Sequence, residues 1–135
     1  MTRKKYEEFE ADSGALLKYA RHANGGGLVE SRAFVDQTAS IGRSAYVDRD
    51  AKVGAGARIG IGTWIDGGAV VHAGAVIGAS VHVGPGAVVG RGAKVGDRVK
   101  IGAHAHVWDG ARIESDEIIG SGAVIREGAR ARRAA

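Results

Sequence analysis

The sequence predicts an all-β solenoid in which one chain winds into stacked coils, and three observations predict it. Val or Ile recurs at every sixth residue from Val29 to Ile125, in seventeen consecutive units without a gap. The fifth residue of the unit is small, Ala in thirteen of the seventeen. Gly takes the second position nine times and the fourth position nine times. At 135 residues, the chain has the size of one domain.

Each position of the unit has a physical role. A period of six matches neither an α-helix nor simple strand alternation, but it fits a short strand followed by a tight corner. A β-branched residue suits the inward side of the strand. A small fifth residue lets the corner close over a narrow interior, and glycine permits a positive φ or a close backbone approach. One unit buries almost nothing by itself, so the units must stack.

This pattern resembles the hexapeptide-repeat family. The resemblance implies a single-stranded left-handed parallel β-helix with three hexads in each triangular coil, so the seventeen hexads over residues 29–130 make about 5.7 coils, uninterrupted. The hand of the helix rests on the resemblance, because the general preference of parallel crossovers is right-handed. Residues 18 apart are then expected to stack in columns on one face.

The ends of the chain depart from the repeat. Residues 1–28 are predicted to cap the first coil, because a terminal coil exposes backbone and core. The cap is either a short helix over residues 15–23, N-capped at residues 12–13, or a strand paired with the first coil. Residues 131–135 form a basic tail that we expect to be disordered.

The net charge of +4 comes from the ends of the chain. Between Val29 and Ile125, ten Lys and Arg residues are balanced by ten Asp and Glu residues. A basic terminus without a continuous track of cations argues against a nucleic-acid partner. The absence of cysteine excludes disulfides and thiolate metal ligands. The sequence contains neither a signal-peptide segment nor a membrane-length apolar run, so we expect a cytoplasmic protein with no membrane contact.

Two of the predicted outward columns carry apolar or aromatic side chains. The residues expected to form an interface or ligand face are Tyr46, Trp64 and His82 in one column, flanked by Glu30, Asp48 and Asp66, and Val70, Val88 and His106 in the next, with Trp108 alongside. A monomer rarely exposes such surfaces. Because family members are typically homotrimers, the resemblance implies that these columns are buried between subunits.

Many hexapeptide proteins are acyltransferases that use acetyl-CoA or an acyl carrier, with a catalytic His in a cleft between subunits. The resemblance makes His104 and His82 the candidate bases. Such enzymes commonly have a loop that leaves the coil, whereas no hexad is interrupted here. We therefore interpret the histidines as surface or interface residues, and an acyltransferase is the alternative function.

The stretches around His72 and His82 resemble ligand segments of the γ-class carbonic anhydrases, which share three His ligands across a trimer interface. The remaining ligand would fall at Ile77, which is a predicted core position. His72 and His82 of adjacent subunits are therefore the candidate zinc-binding pair. A metal-dependent enzyme is the second alternative.

The segment GGGLVESRAFV at residues 25–35 resembles the opening of small hexapeptide proteins from phages and prophages, although Leu28 replaces their Trp. Those proteins have no established catalytic residues. The sequence therefore predicts a non-catalytic trimeric scaffold or binding module, phage-related, with an unknown protein or small-molecule partner. No cofactor is expected, because CoA or zinc is required only by the two alternatives.

Overall fold

The computed structural model describes residues 6–10 and 16–127, which form a parallel β-helix entered through an antiparallel hairpin. Every hexad from Val29 to Ile125 contributes to one short strand, and the strands form the three walls of a triangular prism. Among the described residues there is no helix long and apolar enough to cross a membrane.

The three walls are named here in the order in which the chain reaches them. The first face contains, in spatial order, β1 (Tyr6–Glu10), β2 (Leu16–Arg21), β3 (Leu28–Glu30), β6 (Tyr46–Val47), β9 (Trp64–Ile65), β12 (His82–Val83), β15 (Lys100–Ile101) and β18 (Ile118–Ile119). The second face contains β4 (Phe34–Val35), β7 (Lys52–Val53), β10 (Val70–Val71), β13 (Val88–Val89), β16 (His106–Val107) and β19 (Val124–Ile125). The third face contains β5 (Ser40–Ile41), β8 (Arg58–Ile59), β11 (Val76–Ile77), β14 (Lys94–Val95) and β17 (Arg112–Ile113).

Residues 18 apart lie side by side, which confirms the prediction of three hexads in each coil. On the second face, β10 and β13 are parallel, with Val70 beside Val88. On the first face, Trp64 lies between Tyr46 and His82 in the same way. The prism has about 5 turns and is consistent with the left-handed β-helix that the resemblance implies.

The core is a narrow stack of Val, Ile and Ala. The residue that opens each hexad points inward, and Ile65 and Val83 are both 0% exposed. The small fifth-position residues, such as Ala69 and Ala87, are equally buried where the corners close. Full burial of a Val or Ile side chain stabilises the fold by about 1.5–3 kcal/mol. Because that burial needs a coil above and below, each coil depends on its neighbours.

Glycine has two separate roles in the corners. From residue 44 to residue 122, the fourth position of every hexad has a positive φ, as at Gly68 (72°) and His104 (59°). A side chain is strained in that region, which explains the frequent glycine. At the second position the constraint is space, because a Cβ on Gly60 would overlap the backbone of Gly78 in the next coil.

The N-terminal segment forms strands, so the predicted helix over residues 15–23 is wrong and the strand alternative is correct. β1 pairs antiparallel with β2, and β2 pairs antiparallel with β3, which places Tyr19 beside Glu30. The first coil has a row of backbone groups at its edge, and pairing with them outweighs the local helix signals. The predicted N-cap at residues 12–13 and the tail at residues 131–135 lie outside the described residues.

Candidate functional site

A groove of about 420 Å³ lies on the first face, where the chain turns toward the second face. The residues that line it are Tyr19, Glu30, Asp48, Arg49, Asp50, Asp66, Gly67 and Gly68. Three carboxylates stack along it, because the second position of the hexad recurs on this face once in each coil. The corner at Gly67 and Gly68 has no side chains, and the hairpin supplies Tyr19 as a wall. A groove therefore forms without any loop leaving the coil.

His82 and Asp66 form a hydrogen-bonded pair beside this groove. The His82 Nε2 atom lies 3.0 Å from the Asp66 Oδ2 atom. A carboxylate can only accept, so Nε2 carries the hydrogen when the imidazole is neutral, and Nδ1 keeps its lone pair. The Asp66 Oδ1 atom accepts a hydrogen bond from the backbone N–H of Gly67 at 2.7 Å. Asp66 is thereby held in place, and it fixes the tautomer of the imidazole.

The indole of Trp64 lies flat against the imidazole of His82. The two ring centroids are 4.2 Å apart and the ring planes differ by 12°. The Trp64 Nε1–H donates a hydrogen bond to the Asp48 Oδ2 atom at 2.6 Å. The Trp64–Asp48 and His82–Asp66 bonds both span 16 residues. In each, a sixth-position side chain reaches back to the second-position acid of the preceding coil.

Tyr19 connects the N-terminal hairpin to this row of side chains. Its hydroxyl donates a hydrogen bond to the Asp48 Oδ1 atom at 2.5 Å, and its ring lies edge-on to Tyr46 with centroids 6.5 Å apart. The pKa of Tyr19 is raised above its ordinary value. Burial of the phenol is the largest cause, and its hydrogen bond to the carboxylate of Asp48 is the second. Tyr19 is therefore a neutral donor at physiological pH.

The two predicted bases differ in their surroundings. His82 is paired with Asp66 beside the groove. His104 is exposed at a corner, where its backbone N–H donates a hydrogen bond to the carbonyl of Pro85 at 3.0 Å. Its ring lies over Gly86 of the preceding coil. Of the two predicted bases, His82 is therefore the one that lies beside the groove and has a carboxylate partner.

The rest of the predicted interface or ligand face lies one wall away. The second face carries Val70, Val88, His106 and Trp108. Trp108 is 43% exposed, its ring centroid lies 6.4 Å from that of His106, and the guanidinium of Arg126 lies 4.8 Å from the indole centroid. The predicted set is thus divided between an aromatic first face, whose rings make hydrogen bonds to aspartates, and a second face that is apolar at Val70 and Val88.

The predicted zinc ligands His72 and His82 do not meet within the protomer. His72 follows β10 on the second face, whereas His82 belongs to β12 on the first. Within residues 6–10 and 16–127, no group of three or more His, Cys, Asp or Glu side chains could hold a metal ion. Ile77 is 2% exposed and lies in the core, as predicted. A pair formed across adjacent subunits stays a prediction.

Sequence reasoning misses the roles of Asp48, Asp66 and Tyr19. The two aspartates precede Trp64 and His82 by 16 residues. In a coil of three hexads, this offset places each aspartate beside its partner in the preceding coil, so it is the signal that could have identified them. Tyr19 has no comparable signal, because the antiparallel pairing of β2 lies outside the repeat.

Fold and site together define a parallel β-helix of hexapeptide repeats with a histidine–aspartate pair beside an open groove. Residues 56–91 match the family described as bacterial transferase hexapeptide (six repeats). This match confirms the resemblance to hexapeptide-repeat proteins that the six-residue period indicates. No curated protein sequence matches it.

Several solved structures resemble this chain. The acetyltransferase domain of PglB from Neisseria gonorrhoeae FA1090 is 29% identical with a TM-score of 0.74, and the match covers 76% of this chain and 50% of that chain. PerB from Caulobacter crescentus, in complex with CoA and GDP-perosamine, is 30% identical with a TM-score of 0.74, and the match covers 77% and 50%. A histidine-to-alanine mutant of GDP-perosamine N-acetyltransferase from Caulobacter crescentus, with the same ligands, is 31% identical with a TM-score of 0.74 and the same coverage. The match spans about half the length of these solved chains.

These similarities contradict the prediction of a non-catalytic scaffold or binding module. The solved structures above are acetyltransferases, and two of them contain CoA. They favour the acyltransferase alternative, and with it CoA as a ligand. The physical error was to expect that an uninterrupted wall leaves no room for a pocket. The resemblance of residues 25–35 to phage proteins gains no support from these comparisons.

Proposed function

We propose that this protein is an acyltransferase that transfers an acetyl group from acetyl-CoA to an amino group of its acceptor. The observation that carries the proposal is the His82–Asp66 pair, 3.0 Å apart beside an open groove. Similarity to N-acetyltransferase structures that contain CoA supports the donor and the amine class of acceptor.

His82 is the proposed general base. Acetyl-CoA supplies an acetyl group activated as a thioester. As the acceptor nitrogen attacks the carbonyl carbon, Nδ1 of His82 takes the proton that this nitrogen loses. His82 returns the proton to the sulfur when the carbon–sulfur bond breaks, so that the products are an amide and the thiol of CoA. Asp66 is a positioning residue that holds the imidazole tautomer and stabilises the transient imidazolium.

The carboxylates of the groove suit an acceptor that arrives as a protonated amine. Glu30, Asp48 and Asp66 line one side, and the single lining cation, Arg49, lies 3.7 Å from Asp50. An excess of negative charge in a concave site concentrates cationic ligands. The ammonium group loses one proton to solvent before it attacks, and His82 takes the second.

We infer that Lys100 holds a phosphate group of CoA. It lies directly beside His82 in the same outward column of the next coil, and its side chain is exposed. Adjacent strands are about 4.8 Å apart, so the ammonium of Lys100 is within reach of a donor bound over His82. A flexible lysine suits a phosphate as a point charge. Gly84 and Gly102 have no side chains and keep the neighbouring surface flat.

The second face is the proposed contact between protomers in a homotrimer, the assembly that the family resemblance implies. Its side chains include Val70, Val88 and Trp108, which are partly or largely exposed in the protomer. Exposed apolar surface of this kind is typical of an interface. Burial of the second face leaves the groove on the adjoining wall open to solvent.

The test measures release of free thiol from acetyl-CoA in the presence of a panel of amines and amino sugars. His82→Ala is expected to lower kcat by about 100-fold or more, because a general base contributes at least that much. His104→Ala is the matched control, since it removes an exposed imidazole from the corner outside the groove, and it is expected to leave kcat unchanged.

Two results would refute the proposal. One is the absence of CoA binding in calorimetry at millimolar CoA. The other is turnover by His82→Ala at the rate of the unaltered protein.

A further inference from the structure

We infer that Asp48 and Tyr19 are positioning residues, which hold the indole of Trp64 as a platform for the imidazole of His82. The consequence for turnover rests on the proposed function of His82. The contacts themselves do not, because they are properties of the folded chain.

The imidazole of His82 needs two restraints, because it stands on an outer wall of the prism with 37% of its side chain exposed. The hydrogen bond to Asp66 restrains one edge of the ring but leaves rotation about that bond. The indole of Trp64, 4.2 Å away and within 12° of parallel, removes that rotation. Edge and face together fix the direction of Nδ1, the atom that takes the proton.

Trp64 in turn requires a restraint, since it is 38% exposed and packing holds only part of its side chain. Its Nε1–H is held by the Asp48 Oδ2 atom at 2.6 Å. The other oxygen of Asp48 accepts the hydroxyl of Tyr19 at 2.5 Å. Because both carboxylate oxygens are engaged, the side chain of Asp48 cannot turn without breaking a charge-assisted hydrogen bond.

Tyr19 connects this row of side chains to the N-terminal hairpin. It lies on β2, which is paired backbone to backbone with β3, so its position is set by the sheet. Its raised pKa, caused first by burial, agrees with a phenol that remains a donor to Asp48. The row therefore runs from the hairpin through Asp48 and Trp64 to His82.

The experiment observes the stacking directly by NMR. The imidazole C–H resonances of His82, assigned by comparison with His82→Ala, are expected upfield because they lie over the indole ring. Trp64→Leu is expected to abolish this displacement, Asp48→Ala to reduce it by about half or more, and Tyr19→Phe to reduce it less. Trp64→Phe keeps a stacked ring and is expected to restore part of it.

Asp36→Ala is the matched control. Asp36 occupies the second position of a hexad on the second face, and its side chain also makes hydrogen bonds, to Thr38. Its removal is expected to leave the His82 resonances unchanged. In the acetyl-transfer assay, Asp48→Ala is expected to lower kcat about tenfold while the KM for acetyl-CoA is retained, because a misoriented base affects chemistry more than donor binding.

The outcomes separate this inference from the proposed function. Unchanged His82 resonances in a folded Asp48→Ala variant would overturn the inference. Altered resonances with an unchanged kcat would refute the catalytic consequence. Full activity of His82→Ala would refute the proposed function, whereas the resonance shifts would still establish the platform.

Discussion

The first and second faces share one backbone geometry but present opposite surfaces. On the first face, Trp64 and His82 make hydrogen bonds to aspartates 16 residues earlier. On the second face, Val70 and Val88 occupy the same sixth position and form an apolar column. Strand spacing and register are common to both. The choice of residue at two of six positions therefore decides whether a wall carries a polar network or an apolar surface.

Among the changes that test the difference between the two faces, Val88→Asp is expected to have the largest effect, which is on assembly. A carboxylate at the centre of the apolar second face would be desolvated in the proposed trimer, so we expect the assembly to dissociate into monomers. Sedimentation velocity measures the result. Val76→Asp is the matched control, because Val76 holds the same hexad position on the third face and is also exposed. Dissociation by both substitutions, or by neither, would contradict the distinction between the faces.

Lys100→Ala tests the first face more narrowly. Loss of the ammonium beside His82 is expected to raise the KM for acetyl-CoA about tenfold, the usual effect of removing one charged hydrogen bond. The kcat is expected to be retained, because Lys100 does not move the proton. Lys94→Ala is the matched control, because it removes a lysine that is also exposed and holds the sixth position on the third face. If Lys94→Ala raised the KM for acetyl-CoA by the same factor, the effect would arise from the loss of net positive charge and not from the position of Lys100.

A smaller effect is expected from alkaline pH. Burial and Asp48 raise the pKa of Tyr19 in the folded chain, so the unfolded chain releases the phenolic proton first. The free energy of unfolding therefore falls as the pH rises above about 10, the ordinary pKa of tyrosine.

Thermal melts from about pH 8 to about pH 11 measure this loss of stability, which spans the ordinary tyrosine pKa. We expect Tyr19→Phe to weaken the pH dependence, and Tyr46→Phe, which changes an exposed phenol in the same cluster, to retain it. Equal slopes for Tyr19→Phe and the unaltered chain would show that the Tyr19–Asp48 bond does not couple to folding.

The repeat allows most of the fold to be predicted, because each of its positions has one physical role. The inward residue of each hexad and the core position of Ile77 follow from the period of six, whereas the 18-residue columns follow from the three-hexad coil that the family resemblance implies. The N-terminal strand does not follow from it. Residues 15–23 carry local helix signals, and only the edge of the first coil, a tertiary feature, makes them pair as β2.

The site was less predictable, because it depends on reach between coils. The sequence places His82 and Trp64 in one column, but the bonds to Asp66 and Asp48 depend on side-chain direction across neighbouring coils. The groove also depends on the absence of a side chain at Gly67 and on the wall that the Tyr19 side chain of the hairpin forms. Neither is a loop that leaves the coil, which is the feature that the family resemblance leads one to expect of an acyltransferase.

The six-residue repeat also determines which insertions and deletions this protein tolerates. Removing one hexad after His82 would preserve every corner, yet it would turn the remaining prism by a third of a revolution and bring a different wall into line with the groove. Removing 18 residues there would shorten the prism and leave its walls aligned. Among proteins of this design, the chain beyond the His82–Asp66 pair is therefore expected to vary in length by whole coils of 18 residues. Comparison of their sequence lengths would reveal these steps.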